Sequence, residues 1–441
     1  MGEATKPKTL LLALALLFAA CSKQPDFARA SVRELILWAD REDADADREG
    51  VRLAAAALLE RPVEAVWAEC EVMRKDADPS VRHASVDRLG WLCSPFLRDQ
   101  LSDARAVAIE AMLIDSLDDK DAGVRSAALF GYGLSCIARR PLAAADVVLV
   151  RIREQLVDPA ESTRYSAAHT AFHLGPAARS CEPALVAALA VESADSVRLM
   201  LTSALGGIRA QQAASVQALI GRLVDPVEKV RFAAASSLGS IGAAAVSAIP
   251  ALRVRFEASG EALDVRKATV RALLELVTTA AQAASVLTGL LQEQALYEDH
   301  EQGLWIAGIG RFTLLAPNSE PGQRAIGELT RISRGDDLSL AVPAIAALAR
   351  IAAASPDGSL PAEWLAALRD GLALVQQDVA DGRWAETDDD QFLLEAFVDL
   401  VRVPRFGVLR GEIEPLLKRL ADDRERWWIC EWAQRQLARL P

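Results

Sequence analysis

Two of the four histidines in this 441-residue chain, His169 and His173, stand four residues apart. On a helix that spacing places both imidazoles on one face, one turn apart, which is how a pair of nitrogens shares a metal ion. A hydrolytic zinc site of the HExxH kind also needs a glutamate beside the first histidine, and Thr170 stands there instead. No Ser-His-Asp set, phosphate-cradling glycine loop or CxxC pair accompanies them. The sequence therefore predicts no catalytic centre, no metal and no cofactor. The acidic runs Glu42–Asp47 and Asp388–Asp390 lack the glycine and closing glutamate of a calcium loop and read as solvated loops.

The cysteines carry the other candidate chemistry. Beyond Cys21 there are five, Cys70, Cys93, Cys136, Cys181 and Cys430, and an odd number leaves at least one thiol free. Cys136 closes one helical segment and Cys181 opens another, so in an oxidising compartment Cys136–Cys181 is the first bridge to expect. Small buried thiols are the alternative.

The elements that position these groups are set by a repeat. A Val-Arg step followed by small and apolar residues falls at Val51, Val81, Val124, Val197, Val230 and Val265, with Thr163-Arg164 filling the gap, at spacings of 30, 43, 39, 34, 33 and 35 residues. Such a period marks helical units that cannot bury an apolar face alone and must stack on their neighbours. From Val230, small or apolar residues at Ala234, Leu238 and Ile241 trace one buried helical stripe. Asp225-Pro226 suits a helix start, and Gly239 and Gly242 a helix end. Past residue 280 the step fades through Leu304-Trp305, Leu340-Ala341, Phe392 and Trp427, for about eleven units in all.

Two copies, DPSVRHASVDRLG from Asp78 and DPVEKVRFAAASSLGSIG from Asp225, resemble HEAT repeats. The resemblance implies an all-α, right-handed α-solenoid of stacked antiparallel helix pairs. It also implies an acid–arginine ladder between units, with Arg82, Arg125, Arg198 and Arg231 buried and paired with acids such as Asp78, Asp121, Asp195 and Asp225. Enzymes with repeats of this kind set the alternative. A hydroxylase-like di-iron site needs several His-Glu pairs, and this chain has one, His300-Glu301. A bilin lyase-like activity does not suit an exported protein.

Lys6 and Lys8 precede an apolar run, Leu10–Ala20, that is too short for a membrane span and reads as a secretory signal. Phe18-Ala19-Ala20-Cys21 resembles the bacterial lipobox, which implies cleavage before Cys21 and lipid on that cysteine. Ser22 behind it resembles an outer-membrane address, so the expected location is the periplasmic face of that membrane. The organisation expected is a signal over 1–20, an anchor and tether over 21–30, regular repeats over 31–280, and degenerate repeats with a cap over 281–441. Trp427, Trp428 and Trp432 are expected to close the C-terminal end. Losing residues 1–20 moves the formal charge from -12 to -13, so a nucleic-acid partner is not expected.

Offsets two, six and ten from the Val-Arg step point away from the buried stripe, toward what the HEAT resemblance makes the concave face. They select His83, Asp87 and Trp91, then Phe130 and Leu134, then Tyr165, His169 and His173, then Leu199 and Phe232. A face that needed only solubility would carry charges, so this row reads as a partner-binding surface. The function expected is a noncatalytic scaffold for another protein or an envelope polymer, and the competing reading buries these rings in the core.

Overall fold

The computed structural model describes residues 27–40, 44–94, 101–137, 145–292, 302–334, 338–354, 409–422 and 427–440, with short helical pieces between 369 and 402. The segment holding the signal, Cys21 and Ser22 lies outside these residues. All regular elements among the described residues are helices. The chain divides into two compact units, residues 1–218 and 219–441. This division follows compactness, whereas the boundary at 280 marks where the motif fades.

The first unit holds α1 (Val32–Ala39), α2 (Ala44–Leu59), α3 (Val63–Met73), α4 (Pro79–Leu92), α5 (Asp103–Ser116), α6 (Ala122–Ile137), α7 (Ala145–Gln155), α8 (Glu161–Leu174), α9 (Glu182–Val191) and α10 (Asp195–Gly207). After α11 (Ala213–Arg222), which spans the division, the second unit holds α12 (Glu228–Ile241), α13 (Ile249–Glu257), α14 (Leu263–Leu276), α15 (Ala280–Gln292), α16 (Gln302–Leu315), α17 (Glu320–Ile332) and α18 (Leu338–Ala354). Near its end come α19 (Arg410–Ala421) and α20 (Trp427–Leu437).

Each Val-Arg step from Val81 onward opens the second helix of a pair. In the first unit α4 packs on α6, α6 on α8 and α8 on α10, while α3, α5, α7 and α9 each back their own partner. In the second unit α12 packs on α14 and α16 on α18. The expected α-solenoid of helix pairs is thus the architecture found within each unit.

Small residues make the stacking tight. Gly90 in α4 and Gly131 in α6 meet backbone to backbone, such that a Cβ on Gly131 would lie 2.7 Å from the Gly90 Cα. Thr170 ties α8 to α6 by donating to the Leu129 carbonyl at 2.7 Å. Helix ends follow the local chemistry: Asp78 accepts from the Ser80 N–H at 2.9 Å, with Pro79 next in line. Gly242 ends α12 at φ 69°, a conformation that favours glycine. Gly239, expected to help end that helix, lies inside it, where a Cβ would come within 3.0 Å of the Ala272 Cα in α14. Its role is close approach.

The ladder exists, and Arg198 with Asp195 is a pair expected, but the acids of the other rungs differ from those expected. Arg82 makes two bonds to Asp119, each 2.8 Å, and Arg125 reaches Asp158 at 2.7 Å. Arg164 meets Glu192 at 2.7 and 2.9 Å, and Arg231 meets Glu261 at 2.8 Å. The partner is therefore an acid four or five residues ahead of the next step. Each such acid also accepts a backbone N–H of its own turn: Asp121 to Asp119, Ala160 to Asp158, Ala194 to Glu192 and Ala262 to Glu261. Asp78 and Asp121 instead cap their own helices, Asp121 through the Val124 N–H at 3.2 Å. Asp225 pairs with Arg222 and caps Val227, and Arg198 pairs with Asp195 of its own helix. A further rung, Arg33 to Asp76 at 2.6 Å, starts from Val32-Arg33, a step outside the period used above. The Arg82 guanidinium holds the Asp119 carboxyl below its usual range, and Arg164 does the same for Glu192.

The Cys136–Cys181 bridge is not formed. Cys136 donates to the Tyr132 carbonyl of its own helix and Cys181 to the Leu149 carbonyl of α7, so each thiol is satisfied by a different packing neighbour. Burial pushes the Cys136 thiol up to about 12, which keeps it protonated. Toward the C-terminus, Trp432 packs in an apolar cluster with Phe397, Ile413, Leu417 and Ile429 and donates to Glu395 at 2.9 Å. The side chains of Trp427 and Trp428 lie outside the described residues. The stretch Glu228–Glu257 is long and apolar enough to cross a membrane, but Gly242 breaks it into α12 and α13.

Candidate docking surface

The predicted row is drawn together most tightly on α6 and α8. Phe130 stacks on His169 with centroids 4.6 Å apart, and Tyr165 lies nearly parallel to that imidazole at 6.2 Å. His169 meets His173 edge-on at 4.3 Å, and Phe172, absent from the predicted row, continues it at 4.9 Å from His173. Positions four apart on one helix put Tyr165, His169 and His173 in line, and tight α6–α8 packing brings Phe130 onto them. All of these rings are half-buried except Phe172, which is exposed. They are neither core nor free surface.

The remaining row members are more scattered. His83 is half-buried and bonds Asp40 through Nδ1 at 2.9 Å. Burial raises the nearby Asp87 carboxyl. Trp91 is 40 % exposed, and Leu199 is half-buried on α10. Phe232, 39 % exposed, belongs to the second unit.

Beside the ring row lies a groove of about 450 Å³ lined by Ser126, Glu161, Ser162, Tyr165, Ser166 and Ser196. Tyr165 belongs to both features. The serines are held in place: Ser126 donates to the Ser162 carbonyl at 3.1 Å and shares a 2.9 Å bond with Ser166, and Ser196 donates to Glu161 at 2.6 Å. Ser126 sits at offset two of its repeat, so the offset rule reaches it. Its small hydroxyl carries none of the aromatic character that marks the rest of the row.

The two imidazoles are electrically quiet. Burial and the neighbouring His173 push His169 down to about 4, and burial lowers His173 as well, so both are neutral near pH 7. Their Nε2 atoms lie 3.0 Å apart, one donating and the other accepting. The Nδ1 of His169 has no hydrogen-bond partner and faces Gly133, where a Cβ would sit 3.0 Å away. A bare nitrogen suits that place better than an N–H, which makes His169 the donor through Nε2. Among the described residues, no cluster of three or more His, Cys, Asp or Glu side chains converges as metal ligands do.

With this geometry in place, comparison with known proteins gives the fold a context. A family model described as HEAT repeats matches residues 182–274. No curated protein matches the chain by sequence. Among solved structures, an importin beta is similar with a TM-score of 0.65 at 15% identity over 94% of this chain and 58% of its own. A Kap95:Nup1 complex gives 0.60 at 16% over 96% and 59%. An engineered protein gives 0.51 at 16% over 85% and 98%. This chain thus spans about three-fifths of the two larger structures. Residues 182–274 carry HEAT repeats, and the fold is the helical solenoid seen in these proteins.

Proposed function

We propose that this protein is a noncatalytic, protein-binding scaffold whose contact surface is the exposed face of the second helices. The observation that carries the reading is the ring row on α6 and α8 with its adjoining groove. Half-exposed aromatic side chains cost solubility without completing the core, and anchors of this type dominate protein interfaces. A solenoid of this fold in a Kap95:Nup1 complex supports the same use. The partner is a protein or an envelope polymer.

The test is partner capture by in-cell crosslinking. The double variant Tyr165→Ala with Phe232→Ala is expected to lose capture while keeping its helical signal and melting temperature. An anchor contributing about 2 kcal/mol weakens binding roughly 30-fold when removed. The two single variants assign the loss to one unit or the other. Unchanged capture moves the site elsewhere, and a falling melting temperature returns these rings to the core.

The location proposed with this role is the periplasmic face of a bacterial outer membrane, with lipid on Cys21. The lysines, the apolar run and Phe18-Ala19-Ala20-Cys21 support it. Cys21→Ala is expected to leave an unprocessed chain without lipid, read by mass spectrometry of the mature N-terminus. A mature wild-type protein lacking lipid on Cys21 overturns the anchor.

A further inference from the structure

We propose that His169 and His173 form a two-nitrogen site for a divalent ion of the copper and nickel class on the outer face of α8. Two nitrogens bound to one ion at about 2.0–2.1 Å stand roughly 2.9 Å apart at a square angle and about 3.4 Å apart at a tetrahedral one. The Nε2 atoms of this pair are 3.0 Å apart as hydrogen-bond partners, which already brings both within reach of one ion. Tetragonal nitrogen sites are the geometry of Cu²⁺ and Ni²⁺, whereas structural Zn²⁺ is tetrahedral.

The rings are placed in advance of any ion. Phe130 stacks on His169, Tyr165 lies nearly parallel to it at 6.2 Å, and Phe172 and His173 meet edge to face. An ion would take the place of the hydrogen bond between the two Nε2 atoms. On loading, the His169 proton moves from Nε2 to Nδ1, a modest turn of the rings directs both Nε2 lone pairs at the ion, and no proton is released. With no third protein ligand among the described residues, water or a donor from a bound partner completes the coordination. The relocated Nδ1–H faces Gly133 without an acceptor. Ligating imidazoles normally have such a partner, and its lack weakens the site by about ten- to a hundredfold.

With only His83 and His300 besides the pair, assignment by substitution is clean. Calorimetric titration of the purified chain with Ni²⁺ near neutral pH is expected to show one ion bound per chain. H169Q and H173Q are each expected to weaken binding at least tenfold, while H83Q, on a different helix and bonded to Asp40, leaves it unchanged. Cu²⁺ is expected to give an electron paramagnetic resonance spectrum of two nitrogen ligands in the wild type and one in H173Q. Circular dichroism verifies that each variant is folded; should H169Q unfold, H173Q decides alone. A wild-type chain that takes up no nickel, or a folded H173Q chain that binds as well as the wild type, overturns the site.

Discussion

Arg164→Ala is expected to destabilise the protein by about 3–5 kcal/mol, the usual consequence of stranding one member of a buried ion pair. Glu192, its partner, keeps only 4 % of its side chain exposed. Arg164 also donates to the carbonyls of Asp158 and Pro159 at 2.9 and 3.0 Å, so the variant orphans a carboxylate and two backbone acceptors together. An outer pair such as Arg410 with Glu414, which solvent screens and which Glu414 shares with Lys418, contributes far less by comparison. Urea unfolding with hydrogen exchange on α8 and α10 measures the difference. Exchange is needed because a stacked array can open locally, and one global midpoint can hide it. An Arg164→Ala protein within about 1 kcal/mol of wild type would show that the rung does not hold the repeats together.

Gly131→Ala is the second large expectation. Helix propensity alone favours alanine by about 1 kcal/mol. The added methyl would lie 2.7 Å from the Gly90 Cα, however, and its neighbour is backbone, which cannot swing aside as a side-chain tip can. Forced separation of packed elements typically costs about 1–3 kcal/mol and sometimes more. Because α4 and α6 meet at this point along their lengths, a net loss of up to about 2 kcal/mol is expected after the helix-propensity gain, with faster amide exchange in both helices. A Gly131→Ala protein as stable as wild type, or more so, would mean that the helices are not in contact there.

The fold was legible because the repeat states it many times. Val-Arg steps open second helices from Val81 to Val265. The ladder was legible from its arginines but not from its acids. Arginine reaches across to the neighbouring repeat, and the acid it finds there is chosen by the turn that the same carboxylate caps. Spacing along one repeat points to Asp78 and Asp121, while the chemistry uses Asp119 and Asp158. Arg33 was hidden because α2 separates its helix from the following pair, and that breaks the period.

The surface was partly legible for a related reason. A helical offset says which residues share a face, so Tyr165, His169 and His173 were grouped correctly. It does not say how closely two helices approach, and the stacking of Phe130 on His169 depends on that. Nor does it find Phe172, which lies one position before His173 and reaches it around the helix edge. The bridge between Cys136 and Cys181 was an inference from segment ends, and each thiol instead turned to a nearby carbonyl.

The double use of each ladder acid gives assembly a direction. A turn is closed by its own carboxylate, but the arginine beyond it finds its counterion only in the turn that comes later in the chain. A polypeptide that emerges amino end first therefore carries an unmet guanidinium at its newest repeat wherever the rung spans two repeats, as at Arg82, Arg125, Arg164 and Arg231, whereas Arg198 already has Asp195 of its own helix. Misregistered stacking would leave such a guanidinium bare. The same logic tells where to shorten the protein: a cut that retains the closing acid of the next turn leaves a complete end, whereas a cut a few residues earlier leaves a charge with no counterpart.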